Sequence, residues 1–157
     1  MSFSVRQAQA EDADAAVGVV RRSITELCAA DHHGDADTLA RWLANKTPQK
    51  FLEWIANPDN FCVIAEVGSS LTGVGLLHRS GEIRLFYLDP AAQRQGIGSA
   101  IHRALEDHAR EWGLRILTLD STALAGAFYE HSGYRSTGPS KPAFGMVRTY
   151  PYEKRLD

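Results

Sequence analysis

Leu85-Phe86-Tyr87-Leu88-Asp89-Pro90-Ala91-Ala92-Gln93-Arg94-Gln95-Gly96-Ile97-Gly98 is the stretch on which the fold turns. It reads as an apolar strand, a short loop opened by Asp-Pro, and the first turn of a long amphipathic helix. Gly96 and Gly98 carry no Cβ, so a ligand can approach the backbone closely, and the first N–H groups of a helix have no partner within it. With the positive end of the helix dipole behind them, these donors suit a phosphate or pyrophosphate. Arg94 adds a fixed positive charge beside them.

Outward from this stretch the periodicities are regular. Downstream, Ile97, Ile101, Ala104, Leu105, Ala109 and Trp112 share one side of the helix, and Gly113 stops it. Leu114 to Asp120 reads as a buried strand and Leu124 to Ser132 as a shorter helix with Gly133 at its end. Tyr134 to Thr137 and Met146 to Lys154 then form a final strand pair, with Pro139 to Pro142 as loop. Upstream, Phe61 to Val67, the turn Gly68-Ser69-Ser70 and Leu71 to Arg79 read as a hairpin, and Ser80-Gly81 leads into Glu82 to Leu88, giving three antiparallel strands in a row.

At the start of the chain, Phe3 and Val5 open a strand ending near Gln9. Ala16, Val17, Val20, Ile24, Leu27 and Cys28 follow as the apolar stripe of a first helix. Asp31 to Asp37 is a polar break. Thr38 to Asn45 and a Thr47-capped, Pro48-led helix to Asn57 come next, anchored by Trp42, Phe51 and Trp54.

Composition bounds the possibilities. The 157 residues, 44% hydrophobic and 23% charged, fit one globular domain with a sizeable core. The net charge of −2 lacks the basic field of a nucleic-acid binder. Residues 1–5 run straight into strand-like alternation, and no apolar run is long enough for a bilayer, so the expectation is a cytoplasmic protein without a membrane partner. The two cysteines, Cys28 and Cys62, form no paired motif and are expected as reduced, buried thiols. Cys28 and His32 stand four apart, but a closed ligand set at a recognised spacing is missing, so no metal is expected.

Taken in order, the strand, the Gln93-Arg94-Gln95-Gly96-Ile97-Gly98 loop and the later Phe128-Tyr129-Glu130-His131-Ser132-Gly133-Tyr134 segment resemble the GNAT superfamily of N-acetyltransferases over essentially the whole chain. The resemblance implies a mixed α/β (α+β) fold as one N-acetyltransferase domain, 1–157. Its mostly antiparallel central sheet would be flanked by helices and splayed between the fourth and fifth strands, Glu82 to Leu88 and Leu114 to Asp120. It implies acetyl-CoA as co-substrate, the pantetheine arm on Phe86 to Leu88 and the pyrophosphate on the glycine loop. The implied binding set is Leu88, Gln93, Arg94, Gln95, Gly96, Ile97, Gly98, Ser99 and Tyr129. One departure is visible: many relatives carry an asparagine before the Phe-Tyr pair, where this chain has Ala123-Leu124-Ala125.

The resemblance also implies a strand bulged at Tyr87-Leu88, freeing the Leu88 N–H to polarise the acetyl carbonyl. Tyr129, a phenol protonated at neutral pH, would be the acid for the departing thiolate. Glu82 and His32 are the candidate bases, and an amine already neutral needs neither. The expected reaction is acetyl transfer by direct attack of a primary amine of a small molecule or peptide. The alternative is a noncatalytic acyl-CoA-binding regulatory module of the same fold. A homodimer stays open, and the acceptor is expected in the Ser23 to Trp54 region. A dinucleotide-binding reading of Gly96-Ile97-Gly98 is opposed by Ile101 at the third glycine position, by the residues separating strand from loop, and by hairpins in place of βαβ units.

Overall fold

The computed structural model describes residues 2–93 and 95–157. In chain order the strands and helices are β1 (Ser4–Gln7), α1 (Ala13–Leu27), α2 (Ala29–His32), α3 (Ala36–Leu43), α4 (Pro48–Ala56), β2 (Asn60–Val67), β3 (Ser70–His78), β4 (Ile83–Leu88), α5 (Ile97–Glu111), β5 (Ile116–Ser121), α6 (Gly126–His131), β6 (Arg135–Ser136), β7 (Lys141–Phe144) and β8 (Val147–Arg155). Among the described residues no helix is long and apolar enough to cross a membrane.

Capping chemistry sets the ends of the short helices. Asp35 accepts from the Thr38 N–H at 3.0 Å to start α3, and Thr47 accepts from the Lys50 N–H at 3.2 Å ahead of Pro48 in α4. The polar break expected over residues 31–37 is shorter than that. Cys28 ends α1, residues 29–32 form another helical turn, and His33 and Gly34 with positive φ reverse the chain.

Strands β1-β2-β3-β4 form one antiparallel sheet, and β5-β8-β6 form a second, with β7 on β8. The expected loop over 139–142 thus ends early: Lys141 and Pro142 already pair with Thr149 and Arg148. Helices α1, α3 and α4 bury Val17, Val20, Ile24, Trp42 and Phe51 against Ile64, Val74, Leu76 and Leu85 on one face of the first sheet. On the other face α5 buries Ile97, Ile101, Leu105 and Ala109 against Val63, Leu77 and Ile83, and the same layer continues to Leu117 and Leu119 of β5. At about 25 cal/mol per Å² of apolar surface, these two layers are the main source of stability.

The sheets are pinned at one point. Glu82 bridges Thr118 in parallel, and the Thr118 N–H donates to the Gly81 carbonyl at 2.9 Å. A Cβ on Gly81 would stand 2.6 Å from the Ile116 carbonyl oxygen, and its φ is +97°, so only glycine fits this close approach. Beyond the pin β4 and β5 run in the same direction without pairing, which opens a cleft toward their C-terminal ends.

The bulge in β4 lies at Arg84, not at Tyr87-Leu88 as expected. Leu76 faces Leu85 and Leu77 faces Ile83, leaving Arg84 as the extra residue. The bulge flips the alternation. Ile83, Phe86 and Leu88 therefore belong to the α5 layer, while Leu85 and Tyr87 belong to the α1 layer.

Candidate active site

A cavity of about 460 Å³ occupies the cleft between β4 and β5. Its first wall is backbone. Gly96 caps α5 with φ +80°, a conformation that favours glycine, and no side chain caps the helix. The N–H groups that open α5 are thereby left for an outside acceptor, and Gln93, Gly96, Gly98 and Ser99 line the cavity there. The loop is held from behind: Arg22 of α1 reaches the Asp89 carboxylate at 2.7 Å, and Asp89 accepts from the Ala91 N–H at 3.0 Å. Burial opposes ionisation of Asp89, but these two donors outweigh it and hold its carboxyl below the ordinary range.

Leu88 supplies the second backbone element. The Asp89 N–H donates to Thr72 at 2.8 Å, and Tyr87 faces Val74 while Leu88 faces Gly73. Bonded and unbonded pairs alternate along an antiparallel ladder, so Phe86 and Leu88 turn their N–H and C=O groups away from β3 and toward the cleft. The register thus gives Leu88 the free N–H that the bulge was expected to provide.

Tyr129 stands on α6 and lines the cavity with a ring that is 5% exposed. It packs on Phe86 at 5.8 Å between centroids and on Tyr134 at 5.4 Å. Burial, and secondarily the nearby Tyr87, push its phenol well above the ordinary tyrosine range, so it keeps its proton throughout neutral pH. Tyr134 is in turn fixed by His102, whose Nε2 lies 2.8 Å from its hydroxyl.

The remaining expected residues divide. Gln95 is exposed and Ile97 is a core side chain, so neither lines the cavity, although Ile97 contributes its backbone to the start of α5. Arg94, expected on the phosphates, lies outside the described residues. Glu82 sits at the pinned end of the cleft and pairs with Arg84 at 2.7 Å. His32 is buried against Trp42. Its Nδ1 accepts from the Gly34 N–H at 2.9 Å, which puts the ring proton on Nε2, 3.1 Å from the Thr25 carbonyl oxygen. The structure therefore gathers Leu88, Gln93, Gly96, Gly98, Ser99 and Tyr129 around one cavity and leaves Glu82 and His32 outside it.

The rest of the lining was expected only as regions, the acceptor within Ser23 to Trp54 and the pantetheine arm on Phe86 to Leu88, and not as individual residues. It includes Ser23, Leu27 and Cys28 from the end of α1, Tyr87 from β4, and Asp120, Ser121, Thr122, Leu124 and Ala125 at and after the end of β5. Burial, and to a lesser degree the charge of Asp31, push the Cys28 thiol up to about 12. Burial likewise lifts Tyr87 to about 12. Cys28 did carry a signal, as the last residue of the α1 stripe, but the stripe could not say that a cavity lay beyond it.

The Acetyltransferase (GNAT) domain model matches residues 28–156 of the chain. The N-alpha-acetyltransferase RimI of Mycobacterium tuberculosis is 28% identical over 117 residues, 70% of this chain and 74% of that protein. Among solved structures, a GCN5-related N-acetyltransferase from Rhodopseudomonas palustris superimposes with a TM-score of 0.87 at 23% identity, covering 99% of this chain and 97% of the other. The PaiA N-acetyltransferase of Thermoplasma acidophilum, in complex with coenzyme A, gives 0.83 at 21% identity, covering 99% and 100%. The splayed sheets and the matching domain define an acyltransferase of known architecture. The chain belongs to the GNAT acetyltransferase family.

Proposed function

We propose that this chain, as one domain over residues 1–157, is an acetyl-CoA-dependent N-acetyltransferase that moves the acetyl group to a primary amine of a small molecule or peptide by direct attack. One observation carries the reading: a single cavity joins the uncapped start of α5, the cleft-facing backbone of Leu88 and the proton-bearing Tyr129. The family's use of acetyl-CoA and the coenzyme A complex of the PaiA enzyme support it.

The residues present fit this co-substrate. The left-handed Gly96 and the absence of a side-chain cap leave the α5 donors open to a pyrophosphate, with Gln93, Gly98 and Ser99 beside them. Acetyl-CoA supplies the thioester. Leu88 offers its N–H to a carbonyl oxygen, an interaction that strengthens as negative charge builds there. Tyr129 holds a proton for the leaving sulfur. A double-displacement route through Cys28 is disfavoured, since a thiol at about 12 is ionised in roughly one molecule in 10⁵ at pH 7. With both nitrogens of His32 engaged and Glu82 at the closed end, the amine enters from its neutral population or through water.

Thiol release over a panel of amines, with acetyl-CoA affinity measured by calorimetry, tests the reading. Turnover with at least one amine is expected. Tight acetyl-CoA binding without release for any amine would instead leave a noncatalytic acyl-CoA-binding module.

A further inference from the structure

A second cavity, of about 200 Å³, lies on the face of the first sheet that α1, α3 and α4 cover. Leu76 and Leu85 give it an apolar floor and Trp54 of α4 one side, and its charged residues are Lys46 and Arg84. No carboxylate among the described residues lines it. The bulge in β4 sets two successive residues, Arg84 and Leu85, against this one space. Arg84 also lines the first cavity, so the two cavities adjoin at the bulge.

Both cations keep donors to spare. Lys46 is half-buried, and its ammonium donates to the Asn45 side-chain oxygen at 2.6 Å and to the Trp42 carbonyl at 3.3 Å. An ammonium has three donors, so one is left over. No carboxylate among the described residues lies within ion-pair distance of Lys46, whereas Lys50 and Lys154 each have one. Burial holds the Lys46 pKa below the ordinary lysine range, the direction of a charge that lacks a counter-ion. Arg84 gives its Nε to Glu82 at 2.7 Å, and its two terminal nitrogens have no hydrogen-bond partner among the described residues. Those two nitrogens form a fork that matches the two oxygens of a carboxylate.

We propose that the second cavity is an anion subsite for the acceptor: Lys46 and Arg84 receive a carboxylate of the molecule whose amine enters the first cavity, so that the acceptors are amino-carboxylates. The strand sets their length. Four residues separate Arg84 from Leu88, roughly 13 Å at about 3.3 Å per residue, and the arginine side chain spans part of that. An α-amino acid is too short to bridge the rest, while a tripeptide with free ends, about 10 Å when extended, is long enough. The proposal rests on the N-acetyltransferase reading for the meaning of the word acceptor, but the carboxylate binding it describes is measurable without turnover.

Titration calorimetry with triglycine and triglycinamide tests this, because the two probes share the amine and the length and differ in the carboxylate. The wild type should bind triglycine about tenfold or more tightly than triglycinamide, the scale of one hydrogen bond to a charged group. Lys46→Gln and Arg84→Gln should each lower triglycine affinity about fivefold or more and leave triglycinamide as in the wild type. Should one variant fail to give a cooperative melt, the other decides. Equal affinity of the wild type for both peptides, no binding of either, or an undiminished preference for triglycine in a folded variant would overturn the proposal. Acetyl-CoA is titrated separately: loss of its binding in the wild type counts against the N-acetyltransferase reading, while a carboxylate preference carried by Lys46 and Arg84 stands on its own.

Discussion

The two walls of the cavity are built differently. The α5 wall presents backbone: N–H groups at a helix start, a left-handed Gly96, and the Leu88 edge of β4. The rest of the lining presents side chains, Ser23, Leu27 and Cys28 from the end of α1, Tyr87 from mid-strand, and Asp120, Thr122 and Leu124 from the end of β5 and the loop after it. A backbone site needs little of its side chains beyond the absence of a Cβ at chosen positions. A side-chain site depends on which residue of each distant element happens to face inward. The first kind is broken by changes of backbone conformation, and the second by changes of side-chain identity.

Substitutions can break that contrast, and the largest effect is expected where the walls meet. Tyr129→Phe should lower turnover about 100-fold or more, the usual scale for loss of a positioned acid, with acetyl-CoA affinity unchanged by calorimetry. Unchanged turnover would remove Tyr129 from the acid role.

Next comes the helix behind the backbone wall. Burial lowers His102 to about 4, against the raising effect of Glu106 and with that of Lys154. Its folded pKa lies below the ordinary 6.5, so the unfolded chain takes up the proton first. Stability present above pH 6.5 should decline by about 3 kcal/mol as pH falls toward 4. Urea unfolding of the wild type and His102→Gln across that window checks this: the variant should show a flatter dependence.

Gly96→Ala tests whether conformation governs the α5 wall. A Cβ there meets nothing within 4 Å, so any effect comes from the positive φ. That conformation costs a non-glycine residue about 1–2 kcal/mol. Acetyl-CoA affinity should weaken about tenfold by calorimetry, and unchanged affinity would mean that conformation does not govern this wall.

The smallest effect is expected at the closed end. Glu82→Gln removes a solvent-exposed pair with Arg84, worth about 0–1 kcal/mol. Turnover should change less than twofold across pH 6 to 9. A tenfold fall on the acidic side would restore Glu82 as a base acting at a distance.

Much of this was legible in residue order. The α5 stripe, the hairpin around residues 68–70, the Thr47-Pro48 helix start and the strand–loop–helix order around Gly96 all follow from local periodicity and capping, which act within a few residues. The placement of the β4 bulge was not legible. A bulge at Arg84 or at Leu88 leaves the same apolar run from Ile83 to Leu88, and only pairing with Leu76 and Leu77 of β3 selects one. His32 read as a loop histidine free to titrate, yet its ring lies under Trp42 with both nitrogens occupied. Asp31 read as one of four acidic residues, with Glu26, Asp35 and Asp37, near the expected acceptor wall, yet it is buried and its carboxylate accepts from the Ala123 N–H, 92 residues away.

The sequence by itself determined the elements, their order and the glycine-led, uncapped start of α5, because helix ends, turns and glycine backbones answer to neighbouring residues. Only the tertiary structure decided the depth of the cleft and the makeup of its side-chain lining. The cleft exists because Gly81 lets β4 and β5 touch at a single point. That lining exists because the end of α1, β4 and the β5–α6 loop converge there, and no local pattern encodes that convergence.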